Sequence, residues 1–188
     1  AVTITNAAAT SFNNTVNLAG ALTQSNAATG TTTFANTVSV GSASLKGTAY
    51  AINNSFASGG TTSIANTGTL TKTATGNITS TGAFSTGLGD VNLAANITTT
   101  DSDLTIGGNL VLAEGATPTL STGAGTAGNI LISGSTDGTA GAAVETLTLQ
   151  AGLGSVTFGA SVGTGVADSL TAVTITNAAA TSFNNTVN

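Results

Sequence analysis

The chain is predicted to be all-β, coiled as a right-handed parallel β-helix with about eight rungs of ~21 to ~22 residues each. Three observations predict this. Residues 1–17 and residues 172–188 are the same string, AVTITNAAATSFNNTVN. Apolar and polar residues alternate over runs of four to eight positions, the signature of a half-buried strand. A finer repeat also runs inside the long one, with Phe12, Phe34 and Phe56 recurring at equal intervals.

The identical strings imply that a 171-residue unit has closed and another copy has begun. Residues 1–171 then form one full repeat of a continuous β-solenoid, and residues 172–188 start the next. The chain reads as a window from a tandem array, a class usually structural. The strand runs include Val2-Thr3-Ile4-Thr5, Phe34-Ala35-Asn36-Thr37-Val38-Ser39-Val40, Leu104-Thr105-Ile106, Leu147-Thr148-Leu149 and Val156-Thr157-Phe158. Thr and Val favour the pleated backbone, and Gly, Asn, Asp and Ser clusters part the runs as turns require. No helical spacing persists for three turns. A unit of ~20 to ~25 residues with short strands and no helix cannot bury its own apolar face, so it must stack on its neighbours. Antiparallel sandwiches, two to a unit, are the competing fold. They usually carry more charge and often a core Trp, and the Phe echo is too short a period for them.

Stacking assigns side chains. Phe12, Phe34, Phe56 and Phe183 are expected inside, one above another. Asn14, Asn36 and Asn66, with Asn185 in the second copy, are expected to form an Asn ladder between rungs, as in cross-β structures. Low charge follows as well: only 5% of residues are charged, and like charges one strand spacing apart repel.

Composition excludes several functions. Two lysines, no Arg and a net charge of −5 cannot neutralise a phosphate backbone, so nucleic acid is not expected as a partner. No run of ~20 residues is uniformly apolar, so no membrane span is expected. The absence of Cys removes disulfides and thiolate metal sites, and the absence of His removes any His-activated nucleophile. The carboxylates are Asp90, Asp101, Asp103, Glu114, Asp137, Glu145 and Asp168. Asp101 and Asp103, two apart, would share one side of a strand. They are the one candidate pair for hydrolysis or for calcium, against a plain solvated turn before Leu104. Asp does not recur at the nine-residue period of calcium β-rolls. Gly123-Ala124-Gly125-Thr126-Ala127-Gly128 lacks the Gly-Lys-Ser/Thr ending of a phosphate loop and reads as a corner. No catalytic residue, cofactor or enzyme activity is therefore expected. Asn-x-Ser/Thr sequons begin at Asn13, Asn53, Asn77, Asn96 and Asn184, as chance predicts where Asn and Thr are so common. Tyr50 reads as a packed ring.

The phrases from Leu147 to Gly163 (LTLQAGLGSVTFGASVG) and from Ala172 to Asn177 (AVTITN) resemble the repeats of filamentous-haemagglutinin-like adhesins and related giant β-strand-repeat bacterial surface proteins. The resemblance covers essentially the whole chain and lies in style, without a catalytic signature. It implies a right-handed parallel β-helix, secretion to the bacterial cell surface, and a role in adhesion, aggregation or extracellular fibres. It carries over no binding residue. The expected partners are further copies, by end-to-end continuation or lateral bundling, and a host or neighbouring cell surface. Outward Thr rows such as Thr31-Thr32-Thr33 and Thr69-Leu70-Thr71-Lys72-Thr73 give the alternative, a flat face for ice or carbohydrate.

Overall fold

The computed structural model describes the chain apart from residues 6, 126–127, 140, 142–143 and 164–168, and apart from the side chains of residues 26–28. Every regular element among the described residues is a strand, and every strand pairing is parallel. The chain is a parallel β-solenoid of about eight turns. At a strand separation of ~4.8 Å that is roughly 38 Å of rod.

Each turn has three sides. The first side begins with β1 (Val2–Ile4). It continues through residues 22–24 of β3 (Val16–Phe34) and residues 43–47 of β4 (Val38–Ile52). Thr62–Asn66, Phe84–Thr86, Leu104–Ile106, Ile130–Ile132, Ser155–Phe158 and Ala180–Phe183 follow in the same column. The second side stacks β2 (Thr10–Phe12), the ends of β3 and β4, Leu70–Lys72, Val91–Leu93, Leu110–Leu112 and Thr136–Asp137, then single bridges at Val162 and Val187. The third stacks the starts of β3 and β4, then Phe56–Ser58, Ile78–Ser80, Ile97–Thr99, Thr119–Ser121, Thr146–Gln150 and Ala172–Asn177.

Most strands are inward–outward–inward triplets, because side chains alternate with period two. In Val91–Leu93, Val91 and Leu93 are buried and Asn92 is exposed. Stacking these triplets makes one continuous core that includes Leu22, Phe34, Leu45, Ile64, Leu104, Leu120, Leu149 and Phe158.

The turns are less regular than the even Phe echo suggests. Successive partners on the first side are Val2, Leu22, Ala43, Thr62, Phe84 and Leu104, then Ile130, Val156 and Thr181. The turns after Leu104 are thus longer than those before it. The added length falls between the strand that ends at Leu112 and the one that begins at Thr119, between Ser121 and Ile130, and between Asp137 and Thr146. This irregularity changes the expected columns. Phe12 and Phe34 do stack, with ring centroids 5.0 Å apart and an interplanar angle of 8°. The next turn is shorter, so Phe34 stands opposite Ile52, and Phe56 has passed the corner to face Val38. The rings of Phe34 and Phe56 meet edge to face across the core at 5.5 Å. Phe183 stacks on Phe158 at 4.9 Å and belongs to the first side, whereas Phe12 belongs to the second.

The Asn ladder also differs from the expectation. Asn14 and Asn36 lie in the corners between the second and third sides, and Asn36 Nδ2 donates to the Asn13 carbonyl. Asn66 is buried on another side, opposite Gly47. Its Nδ2 donates to the Gly68 and Asp90 carbonyls at 2.6 and 3.3 Å, and its Oδ1 accepts from Gly87 N at 2.9 Å. Asn185 accepts from the backbone N–H of its neighbour Thr186. Rung-to-rung ladders do exist, at the residue just before a strand. Asp90 accepts from Asn109, whose Oδ1 accepts from Ser135 N. Asp103 accepts from Asn129, whose Oδ1 accepts from Ser155 N. Asn77 Oδ1 accepts from Asn96 N, and Asn96 Oδ1 from Thr119 N. Most of these side chains satisfy a backbone donor that the turn leaves outside the strand ladder.

Lysine 72 is the unusual interior residue. It occupies an inward position between Ile52 and Leu93 and is 1% exposed. Its Nζ donates to the carbonyls of Thr73 and Thr75 at 2.7 and 2.8 Å. The corner it spans, residues 73–77, is longer than the corners below and above it, 53–55 and 94–96. The ammonium thus satisfies carbonyls that the longer corner turns inward. Burial lowers its pKa from the ordinary 10.5 to about 8. Between these values the unfolded chain holds a proton that the folded chain does not, so stability rises with pH through that window. Burial pushes the Tyr50 phenol up, which opposes the gain once pH passes the ordinary phenol value. Unfolding followed by urea should therefore show a gain of about 1 to 2 kcal/mol between about pH 7 and about pH 9.5. Lys72→Met should abolish the gain, and an unchanged pH profile in that variant would contradict the assignment.

Candidate binding faces

The outward middle residues of the first side form one column: Thr3, Thr23, Ser44, Ser63, Ser85, Thr105, Leu131, Thr157 and Ser182. Leu131 alone interrupts a row of hydroxyls repeating at the strand spacing of ~4.8 Å. The threonine runs noted in the sequence do not make this row. In 31–33, Thr32 points inward and donates from Oγ1 to Gln24 Oε1 at 2.9 Å. Gln24 Nε2 in turn donates to the Lys46 carbonyl and the Tyr50 hydroxyl at 2.7 and 3.2 Å, a buried polar network. In 69–73, Leu70 and Lys72 are buried and Thr71 faces outward on the second side.

The row is legible only once the register is known. Its members come from successive turns of unequal length, so no fixed period links them. The pre-strand ladder left a clearer trace. Asp90, Asp103, Asn77, Asn96, Asn109 and Asn129 each stand immediately before an apolar–x–apolar or apolar–x–polar triplet.

On the second side an open groove of about 360 Å³ is lined by Thr71, Asn92, Val111, Ala113, Glu114 and Thr139. Thr71, Asn92 and Val111 are the outward residues of three successive turns. Thr139 Oγ1 donates to the Leu112 carbonyl at 2.6 Å. Glu114 supplies the one carboxylate among these lining residues, and none of them is an aromatic ring on which a sugar could stack.

Asp101 and Asp103 do not share a strand. Both are exposed in the corner before Leu104, and Asp101 has φ of +50°, a left-handed conformation that Asp tolerates better than most residues. Asp101 donates its N–H to the Thr122 carbonyl, while Asp103 is engaged by Asn129. Among the described residues no three or more carboxylates gather in a way that could hold a metal ion. Glu145 is buried, with Oε1 accepting from Gly115 N and Oε2 from Val144 N, both at 3.2 Å. This is a corner brace. Asp168 and residues 126–127 of the Gly-rich stretch lie outside the described residues. No helix among the described residues is long and apolar enough to cross a membrane.

No family model, no curated protein and no solved structure matches the chain.

Proposed function

We propose that the chain is a structural repeat segment of a long extracellular bacterial fibre, stalk or adhesin, and that it supports attachment, aggregation or matrix formation. The observation that carries this reading is the verbatim return of one string, first from Ala1 to Asn17 and again from Ala172 to Asn188, in a fold whose turns simply add to one another. Identical long units suit a spacer, in which length matters and individual residues do not. The surface supports the same reading, being built of hydroxyls and ladder amides with few ionisable groups. The role is non-enzymatic, and the partners are further copies joined end to end or side by side, with a cell surface beyond them.

Fibre diffraction from aligned native material tests this. A strong axial reflection near ~4.7–4.8 Å is expected, together with an intact native polypeptide several times heavier than this segment. A native chain no longer than the segment, or no axial reflection, would overturn it.

The hydroxyl row of the first side favours a second reading, a flat binding face for ice or carbohydrate. Thermal hysteresis and retention on immobilised glycans should both fall in Ser85→Lys and Thr105→Lys variants if the face binds. If the parent segment is inactive in both assays, the second reading fails.

A further inference from the structure

The two copies of the repeated string fold alike but lie on different sides of the solenoid. In the first copy Val2, Thr3 and Ile4 lie on the first side, opposite Leu22, Thr23 and Gln24. Their equivalents Val173, Thr174 and Ile175 lie on the third side, opposite Leu147, Thr148 and Leu149. Phe12 is on the second side over Phe34, and its equivalent Phe183 is on the first over Phe158. Val16 begins the third side against Val38, and its equivalent Val187 bridges Val162 on the second. All three strand pieces of the string are displaced in the same sense by one side.

We infer that the spacing from one copy to the next is not a whole number of turns, and that successive copies present the same residues on successive sides of the rod. Between the two strings the chain completes seven turns and two further sides. Three copies are then needed before a given residue returns to its original side. The fold permits this because its three sides obey one rule, an inward–outward–inward triplet followed by a corner. An inward Phe needs only an apolar neighbour one rung away. The stacking geometry is nearly the same in both places: 5.0 Å and 8° for Phe12 on Phe34, 4.9 Å and 4° for Phe183 on Phe158.

The inference rests on the strand register and on the repeated string, and it stands whether or not the fibre reading holds. Its consequence concerns partners. In a run of identical copies, the hydroxyl row of the first side continues on another side after one copy. A long flat partner, such as a crystal plane or an extended sheet, then finds no uninterrupted face. A compact partner that contacts a few turns finds its site on every side of the rod.

Paired cysteines test the register in this chain, which has no native Cys. Thr174 and Thr148 are outward neighbours on the third side. If the second string instead held the place of the first, Thr174 would sit on the first side above Thr157. Thr148→Cys with Thr174→Cys should be bridged efficiently by dibromobimane, a fluorogenic cross-linker for thiols a few ångströms apart. Thr157→Cys with Thr174→Cys should be bridged several-fold less. Melting curves of both reduced variants that match the parent confirm that both are folded. Preferential bridging of the second pair, equal bridging of both, or bridging of neither would overturn the inference.

Discussion

Phe34→Asp should unfold the early turns of the solenoid, at a cost of several kcal/mol. Phe34 is fully buried. It stacks on Phe12 below, meets Phe56 edge to face, and stands opposite Ile52 above. Removing the ring alone, as in Phe34→Ala, should cost about 3 to 5 kcal/mol in transfer and cavity terms. The carboxylate adds desolvation, because the cation in that stack, Lys72, lies two rungs above, beyond Ile52, and is engaged by the Thr73 and Thr75 carbonyls. Denaturant unfolding of both variants would measure the difference. Phe183→Ala provides the contrast: its ring is 43% exposed and touches one neighbouring ring, so the loss should be about 1 kcal/mol. Midpoints equal to that of the parent for Phe34→Asp would contradict the placement of this residue.

Gly89→Ala should be nearly as damaging although it adds only one methyl group. Gly89 lies at the corner between the first and second sides, above Gly68 and below Gly108. A Cβ at Gly89 would lie 1.8 Å from the Gly68 carbonyl oxygen. That obstacle is backbone held in the rung below, so the turn itself must move. Overpacking of this kind costs about 3 kcal/mol, and more where the surroundings cannot relax. Gly115→Ala is the internal control. Nothing lies within 4 Å of its Cβ position, but its φ is +68°, so a penalty of about 1 kcal/mol is expected from the left-handed conformation alone. Thermal melts that rank the two variants in the opposite order would show that close approach is not what keeps glycine at position 89.

Both predictions come from stacking, and stacking separates what could be read in the chain from what could not. The triplets around Val91, Leu104, Ile130 and Val156 are legible because period-two alternation decides locally which side chains turn inward. The absence of helix among the described residues, the parallel stack and the approximate turn number follow from that pattern and from the short repeat. The first Phe pair is legible as well, since the turn joining Phe12 to Phe34 has the length of the short repeat. Phe56 is not, because a shorter turn carries it onto another side without changing its local pattern.

The candidate faces divide in the same way. That Ser and Thr cover the surface is a property of composition, but the column running from Thr3 to Ser182 exists only after corners of unequal length have set each turn's register. The inward Lys72 occupies a position of ordinary strand pattern, and only the longer corner beside it explains how a cation is kept there. The sequence alone determined that the molecule is a stack of β turns built from a repeating unit, because apolar periodicity and verbatim recurrence are local facts. Only the tertiary structure decided which turn lies over which, and that the recurring string changes side. Register is the sum of all intervening corner lengths, and no local segment contains that sum.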